Sequence, residues 1–405
     1  MFCKMFKFKG KFHLKISSLI FFLAFFLIVP HFLWSQGKID LIPSTNVPLE
    51  SKKLEDPLDK KQSDRDVFAK GKKFWQAQKA FRDKDYKNSY ELFSKLIEEN
   101  PKSTFALLGR AMTLTRLGEV EKSLKDLDIA IALDPKNSSF YLHRGKVFLA
   151  LKRERESLED FNVAIRLSPT DPVPFYHRAL VYYSLFLRDQ AIIDLDKTIE
   201  LDPTFFEAFR VRGSIFSFLG ENRKAIEDFN KALTINQKDA LSYLYRGYSH
   251  VALGNSKKAL EDFNKAESLK LDAKDIYSAK AIAYKRLGNI DKAIDEYSHG
   301  LKIDPNWVVG YFNRANAWLL KGKIFRARKD YQKVVELSSL KLEEGKDPIV
   351  FLNRAKAHRA LGNVEQADKD FSQSYLLFEA VKDQVMLKKV ASELEDLRMT
   401  QRSLQ

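Results

Sequence analysis

Residues 104–137 read TFALLGRAMTLTRLGEVEKSLKDLDIAIALDPKN. A first helical stretch ends at the pair Leu117–Gly118, a second one follows, and Pro135 closes the segment. A glycine just past a helix is a C-terminal stop, because it enters the left-handed region without a Cβ penalty. The same segment recurs. Pro101, Pro135, Pro169 and Pro203 stand 34 residues apart, and the ruler continues through Gln237 and Leu271 to Pro305. With Lys70 as the first place of the first copy, the eighth place is always small: Ala77, Ala111, Gly145, Ala179, Gly213, Gly247, Ala281, Ala315 and Ala355. So is the twentieth: Ser89, Ser123, Ser157, Ala191, Ala225, Ala259, Ala293, Ala327 and Ala367. Small residues at both places allow close approach of two helices, and a bulky residue four places later, such as Phe93, Phe161 or Phe263, fills the space beside them. Further Leu-Gly stops fall at Leu219–Gly220, Leu253–Gly254, Leu287–Gly288 and Leu361–Gly362.

A fixed 34-residue period of helix–turn–helix units with these marks resembles the tetratricopeptide-repeat (TPR) family. The resemblance covers about three quarters of the chain and implies an all-α fold: a right-handed superhelical solenoid of about nine units. The organisation expected is a signal peptide or signal anchor over 1–35, a flexible polar linker over 36–66, nine repeats over 67–381, and a C-terminal capping helix and tail over 382–405. The cap is needed because a terminal unit otherwise exposes its apolar face. About six extra residues around Leu340–Lys346 break the ruler after the eighth unit. The family's closing proline is replaced by Gln237, Leu271, Ser339 and Glu379, which bears on local turns and not on the fold.

The 405 residues carry a net charge of +15, of which five units come from Lys4, Lys7, Lys9, Lys11 and Lys15. These precede an apolar run from Leu19 to Val29 and a polar exit at Ser35 and Gln36, the order of a secretory signal. Retained, Ile16–Trp34 would nearly span a bilayer. Residues 36–65 hold six basic and six acidic side chains, so the five lysines mark the cytoplasmic side and the rest of the chain is expected outside it. The localisation expected is export: periplasmic, envelope-associated or secreted. The lone Cys3 excludes an internal disulfide and a thiol metal site.

The seventh place is basic in eight units: Arg110, Arg144, Arg178, Arg212, Arg246, Lys280, Arg314 and Arg354. Sixteen residues later stand Asp126, Asp160, Asp194, Asp228, Asp262, Glu296, Asp330 and Asp370. The first unit lacks both, with Gln76 and Leu92, and the one unit with Lys is the one with Glu. Charges gained and lost together imply side chains that meet. The ladder is therefore read as structural Arg–carboxylate pairing and not as a phosphate-binding stripe.

The resemblance also implies that first helices line a concave face through their second, fifth, ninth and twelfth places. In units two to four these include Phe105, Leu108, Met112, Leu142, Leu149, Val173, Tyr176, Leu180 and Tyr183, an apolar and aromatic groove suited to a partner helix or extended peptide. Glu207, Arg210, Asp275 and Lys285 make it mixed further on. The family's carboxylate clamp is not assembled, since Asn316 holds a ninth place but Phe312 the fifth. His143 and His177 share the sixth place of adjacent units, without the further ligands that zinc requires. No phosphate loop, serine elbow or zinc-protease helix is present. The expectation is a non-enzymatic scaffold or adaptor for protein or peptide ligands, with no cofactor, no nucleic acid, and a membrane only through the N-terminal segment if uncleaved. The alternative is a membrane-anchored assembly factor for envelope protein complexes.

Overall fold

The computed structural model describes residues 62–271, 273–344, 347–380 and 383–402. The expected signal segment and most of the linker lie outside the described residues. Every described element is an α-helix, and the helices come in antiparallel pairs. The first four repeats are α1 (Gln62–Arg82) with α2 (Tyr86–Glu99), α3 (Thr104–Arg116) with α4 (Val120–Leu133), α5 (Ser138–Ala150) with α6 (Glu154–Leu167), and α7 (Pro172–Ser184) with α8 (Arg188–Leu201). The fifth repeat's stretch forms α9 (Phe206–Phe218), which ends the first compact unit, and α10 (Asn222–Ile235), which belongs to the second. Then follow α11 (Ala240–Ala252) with α12 (Ser256–Ser268), α13 (Ala273–Arg286) with α14 (Ile290–Ile303), α15 (Val308–Leu320) with α16 (Ile324–Glu344), and α17 (Pro348–Leu361) with α18 (Val364–Ala380). A last helix, α19 (Gln384–Arg402), closes the chain. The architecture is an all-α repeat solenoid, formed as two compact units, one ending at Phe218 and one starting at Leu219.

Short side chains cap the start of several first helices. Ser103, Asn137 and Asp171 precede α3, α5 and α7, and each accepts a hydrogen bond from a backbone N–H of the first turn. Pro172 and Pro348 occupy the first turn, where a missing N–H costs nothing. Between the helices of a repeat the chain reverses through one left-handed residue. At Gly118 (φ 80°) the reversal is closed by Glu119 N–H donating to the Leu114 carbonyl at 2.9 Å. The third repeat makes the same turn with Lys152 at φ 57°, so the turn geometry persists where the glycine does not.

One boundary differs from the sequence expectation, and the break in the ruler takes a definite form. The first helix begins at Gln62, five residues inside the stretch read as linker, and no proline stands between Pro57 and Pro101 to interrupt it. The ruler breaks within α16, which runs to Glu344 and is 21 residues long against 14 for α14, so the described part of the insertion is added helical turns.

The small places work as steric permits. A Cβ on Gly145 would stand 2.8 Å from the Phe161 ring, and one on Gly247 would stand 2.4 Å from the Phe263 ring. Both rings are fully buried. Where the twentieth place is serine it does more than stay small: Ser89, Ser123 and Ser157 donate to the carbonyls of Ala77, Ala111 and Gly145 at 3.1, 2.8 and 2.8 Å. That ties the two helices of a repeat at their closest approach. The capping helix α19 buries Met386, Leu387, Val390, Leu394 and Leu397. Gly247→Ala should force Phe263 off its seat and lower unfolding stability by about 1–3 kcal/mol, read by urea denaturation; an unchanged midpoint would mean the contact relaxes freely.

Candidate functional site

The charge ladder defines the frame on which any concave surface is built. Six of the arginines fork onto the aspartate sixteen residues later, with Nε donating to Oδ2 and Nη2 to Oδ1. The distances are 2.7 and 2.8 Å for Arg110–Asp126, 2.8 and 2.8 Å for Arg144–Asp160, and 2.7 and 2.6 Å for Arg178–Asp194. Arg246–Asp262, Arg314–Asp330 and Arg354–Asp370 are forked alike. A third N–H goes elsewhere. Nη1 reaches the second helix of the preceding repeat: Ser94 from Arg110, Asp128 from Arg144, Asn162 from Arg178, Asp196 from Arg212 and Asn230 from Arg246. One guanidinium therefore joins three helices. Aromatic rings flank it, as Tyr141 and Phe148 do Arg144 at 5.7 and 5.8 Å.

The Lys280–Glu296 rung is built differently. Lys280 donates to Glu267 of the preceding repeat, and Glu296 is left half-buried, its carboxyl pushed up by burial against the partial attraction of Lys280. An ammonium is a point donor and cannot fork between two carboxylates as a planar guanidinium does. The aspartates are buried, whereas the arginine side chains keep about a fifth of their surface, 20% in Arg178.

The nine groove residues separate by exposure. Leu108, Leu142, Leu149, Tyr176 and Leu180 are buried, Met112, Val173 and Tyr183 are partly buried, and Phe105 is 56% exposed. Leu142, Leu149, Tyr176 and Leu180 belong to one apolar cluster with Phe205, Ala208 and Ile215, which runs across the first helices of successive repeats. Much of the apolar surface expected to face a ligand is thus packing between repeats, because a tight stack brings fifth and ninth places against the next first helix. Glu207, Arg210 and Lys285 are partly buried, and burial lowers the Lys285 ammonium to about 8.

Within the first compact unit a small basic cluster remains in this apolar setting. Lys146, at a ninth place, is pushed down to about 8, first by desolvation and then by Arg116. Among the described residues it has no hydrogen-bond or ion-pair partner. His143 is pushed down to about 3 by desolvation and by Lys146. His177 is fully buried, stacked on Phe161 at 5.8 Å, and neither ring nitrogen has a hydrogen-bond partner. No group of three metal-ligating side chains occurs among the described residues. No described helix is long and apolar enough to cross a membrane.

At the other end the corresponding places are occupied. Lys356 and Arg359 hold the ninth and twelfth places of the last repeat, and Glu393 of α19 sits between them at 3.2 and 2.6 Å. Burial raises the Glu393 carboxyl, but the two cations outweigh it and hold it below its usual range. The sequence reading missed this site, although Glu393 is an acid placed among the apolar residues of the expected cap.

Comparison with known proteins agrees with the repeat. Sequence profiles described as tetratricopeptide repeat match residues 108–172, and also 211–239 and 275–306. No curated protein matches. Similar solved structures include a tetratricopeptide repeat protein from Parabacteroides merdae, 16% identical, covering 61% of this chain and 98% of that one with a TM-score of 0.47. Another is YrrB, described as a TPR protein with an unusual peptide-binding site, 26% identical over 46% of this chain and 97% of its own, TM-score 0.38. A thermophilic TPR protein in Thermus thermophilus is 25% identical over 45% of this chain and 100% of its own, TM-score 0.38.

Two substitutions test the geometry. Arg178→Met strands the buried Asp194 carboxylate and should cost about 2–3 kcal/mol, discounted from a fully buried pair because the arginine is partly wet. A loss below about 1 kcal/mol in chemical denaturation would place the pair energetically on the surface. His177→Phe removes two unsatisfied nitrogens and should stabilise by about 1–2 kcal/mol. Its pH signature follows from linkage. The folded His177 titrates well below 6.5, so the unfolded chain binds the proton first and stability falls as pH drops below about 6.5. The Phe variant should show a shallower acid loss than the parent between about pH 6.5 and 4; parallel curves would rule out a neutral buried imidazole.

Proposed function

We propose that this tetratricopeptide-repeat protein is a non-enzymatic scaffold, exported across a membrane, that holds partner proteins through acidic side chains presented on a helix or extended segment. The observation that carries this reading is the contrast between two equivalent places. In the last repeat the cations Lys356 and Arg359 are covered by the chain's own helix α19 and neutralised by Glu393. In the third repeat Lys146 occupies the same ninth place, is desolvated to about 8, and has no carboxylate partner among the described residues. A base held in an apolar setting gains most from an ion that brings its own shielding surface. The capping helix shows what kind of segment satisfies such a place: one apolar face for packing and one carboxylate for the cation. Phe105, more than half exposed at the second place of the preceding repeat, is an apolar contact available to the same partner.

Export rests on the N-terminal order of five lysines, apolar run and polar exit. A membrane-anchored assembly factor for envelope complexes is the second reading, favoured by the length of Ile16–Trp34.

The test places a photoreactive residue at Phe105 of the full chain and compares capture in the parent and in Lys146→Glu. The parent should crosslink a discrete protein partner, and the charge reversal should reduce that product at least about tenfold, the loss of one charge-assisted contact. Equal capture would remove Lys146 from recognition, and no capture from either chain would remove this face. N-terminal sequencing separates the two readings of the leader: a mature chain starting near Gln36 excludes the anchor.

A further inference from the structure

A second candidate surface lies at the tip of the eighth repeat, within the second compact unit. In eight of the nine repeats the eighteenth place, at the start of the second helix, is a charged and exposed residue: Lys87, Glu121, Arg155, Asp189, Arg223, Lys257, Asp291 and Glu365. In the eighth repeat it is Phe325, and this phenylalanine is 91% exposed. It has no part in the core. Beside it Ile324 and Leu320, which flank the turn, are 61% and 62% exposed.

The charge around this tip is one-sided. Residues 319–329 read LLKGKIFRARK, with five cations and no acid. Helical spacing puts Arg328 and Lys329 on the same face as Phe325, three and four residues on. Arg326 lies over the Trp318 ring at 4.6 Å. The acids at the equivalent place of the two neighbouring repeats are already engaged, Asp291 by Lys321 and Glu365 by Lys369. Lys323, Arg326, Arg328 and Lys329 therefore surround the apolar tip with uncompensated positive charge.

We infer that the α15–α16 turn is a membrane-contact tip, in which Phe325, Ile324 and Leu320 enter the interface of an anionic phospholipid bilayer while Lys323, Arg328 and Lys329 meet its phosphates. The shape favours lipid over protein. A stable protein interface needs roughly 800 Å² per partner with a packed centre, whereas these side chains protrude singly from a turn. Shallow insertion of a few apolar groups needs no complementary pocket, and the surrounding cations add electrostatic attraction to an acidic leaflet. An aromatic and a guanidinium stacked at the same level, Trp318 and Arg326, suit the headgroup region. The surface lies on other residues than Lys146 and Phe105, so it stands or falls independently of the partner-binding reading.

The test uses the full chain with Cys3→Ser and Phe325→Cys, labelled with a polarity-sensitive fluorophore, so that the signal is local and insensitive to the N-terminal segment. Vesicles of phosphatidylcholine alone are compared with vesicles containing about one third phosphatidylglycerol. A blue shift is expected with the anionic vesicles only, and it should disappear when Lys323, Arg328 and Lys329 are changed to Gln, since each cation near such a surface contributes about a factor of five in partition. The same label at Lys257→Cys, the equivalent place two repeats earlier, should not respond. Three outcomes would overturn the inference: no shift with either vesicle, an equal shift at both labelled positions, or a shift that develops with protein concentration in the absence of lipid, which would assign the tip to a second copy of the chain.

Discussion

The interaction on which the rest of the structure depends is the three-way bond of the seventh-place guanidinium. An arginine has five N–H donors in a rigid plane, so it can close a fork on one carboxylate and still direct a donor elsewhere. Here the fork binds the second helix of the same repeat, and the remaining donor binds the second helix of the repeat before, as Arg178 does to Asp194 and Asn162. Hydrophobic packing between helices is non-directional and tolerates sliding. A planar fork does not, because a shift of one residue removes two hydrogen bonds and strands a buried charge. Repetition of the fork therefore converts a stack of greasy hairpins into a ruler with one register.

That ruler separates stability from recognition. The two helices of a repeat are locked together by buried groups on faces turned toward each other, namely the Arg–Asp fork, the serine bond from the twentieth place, and phenylalanines seated on glycine such as Phe161 on Gly145, while the guanidinium's further bond, as from Arg144 to Asp128, ties one repeat to the one before. None of these uses the exposed places of the turns or the ends of the first helices. Substitutions there are nearly free of folding consequences, which is how one repeat can display Phe325 where eight others display a charge. The same separation lets the chain place Lys146 on a first helix without disturbing the fork of Arg144 two residues away.

The parts of this design that were legible from sequence share one property: a fixed residue type recurring in a fixed column. The 34-residue period, the small eighth and twentieth places, and the joint appearance of Arg and Asp all have it. The Lys280 rung shows its limit. Joint substitution to Lys and Glu suggested the same pair, but the shorter point donor turned to Glu267 instead. The third guanidinium bond was hidden because its acceptors, Ser94, Asp128, Asn162 and Asp196, share acceptor chemistry and not residue type. The groove was over-read for a related reason. A place that faces a ligand in an open stack faces the next helix in a close one, and Leu142 and Tyr176 cannot report from sequence how closely their helices approach. The extra residues after the eighth repeat were visible as a break in the ruler, but a break in period does not distinguish a loop from two more turns of α16.

The contrast between the two ends of the repeat array bears on why the chain carries a cap of its own. A helix laid on the last repeat must do two things, cover apolar surface and neutralise Lys356 and Arg359, and α19 does both with five apolar residues and Glu393. Without the carboxylate, three partly buried cations would face one another, since Lys389 is already lowered to about 8 beside Lys356. The cap is therefore an intramolecular ligand, and its affinity is set by apolar area while its orientation is set by charge. The external partner proposed at Lys146 would meet the same physics with one difference. It arrives from solution and must offset lost translational freedom, so it needs more than one buried apolar anchor in addition to its acid. Partners that present an isolated carboxylate on a disordered segment satisfy the cation but not the surface around it, and an amphipathic segment with a central acid satisfies both.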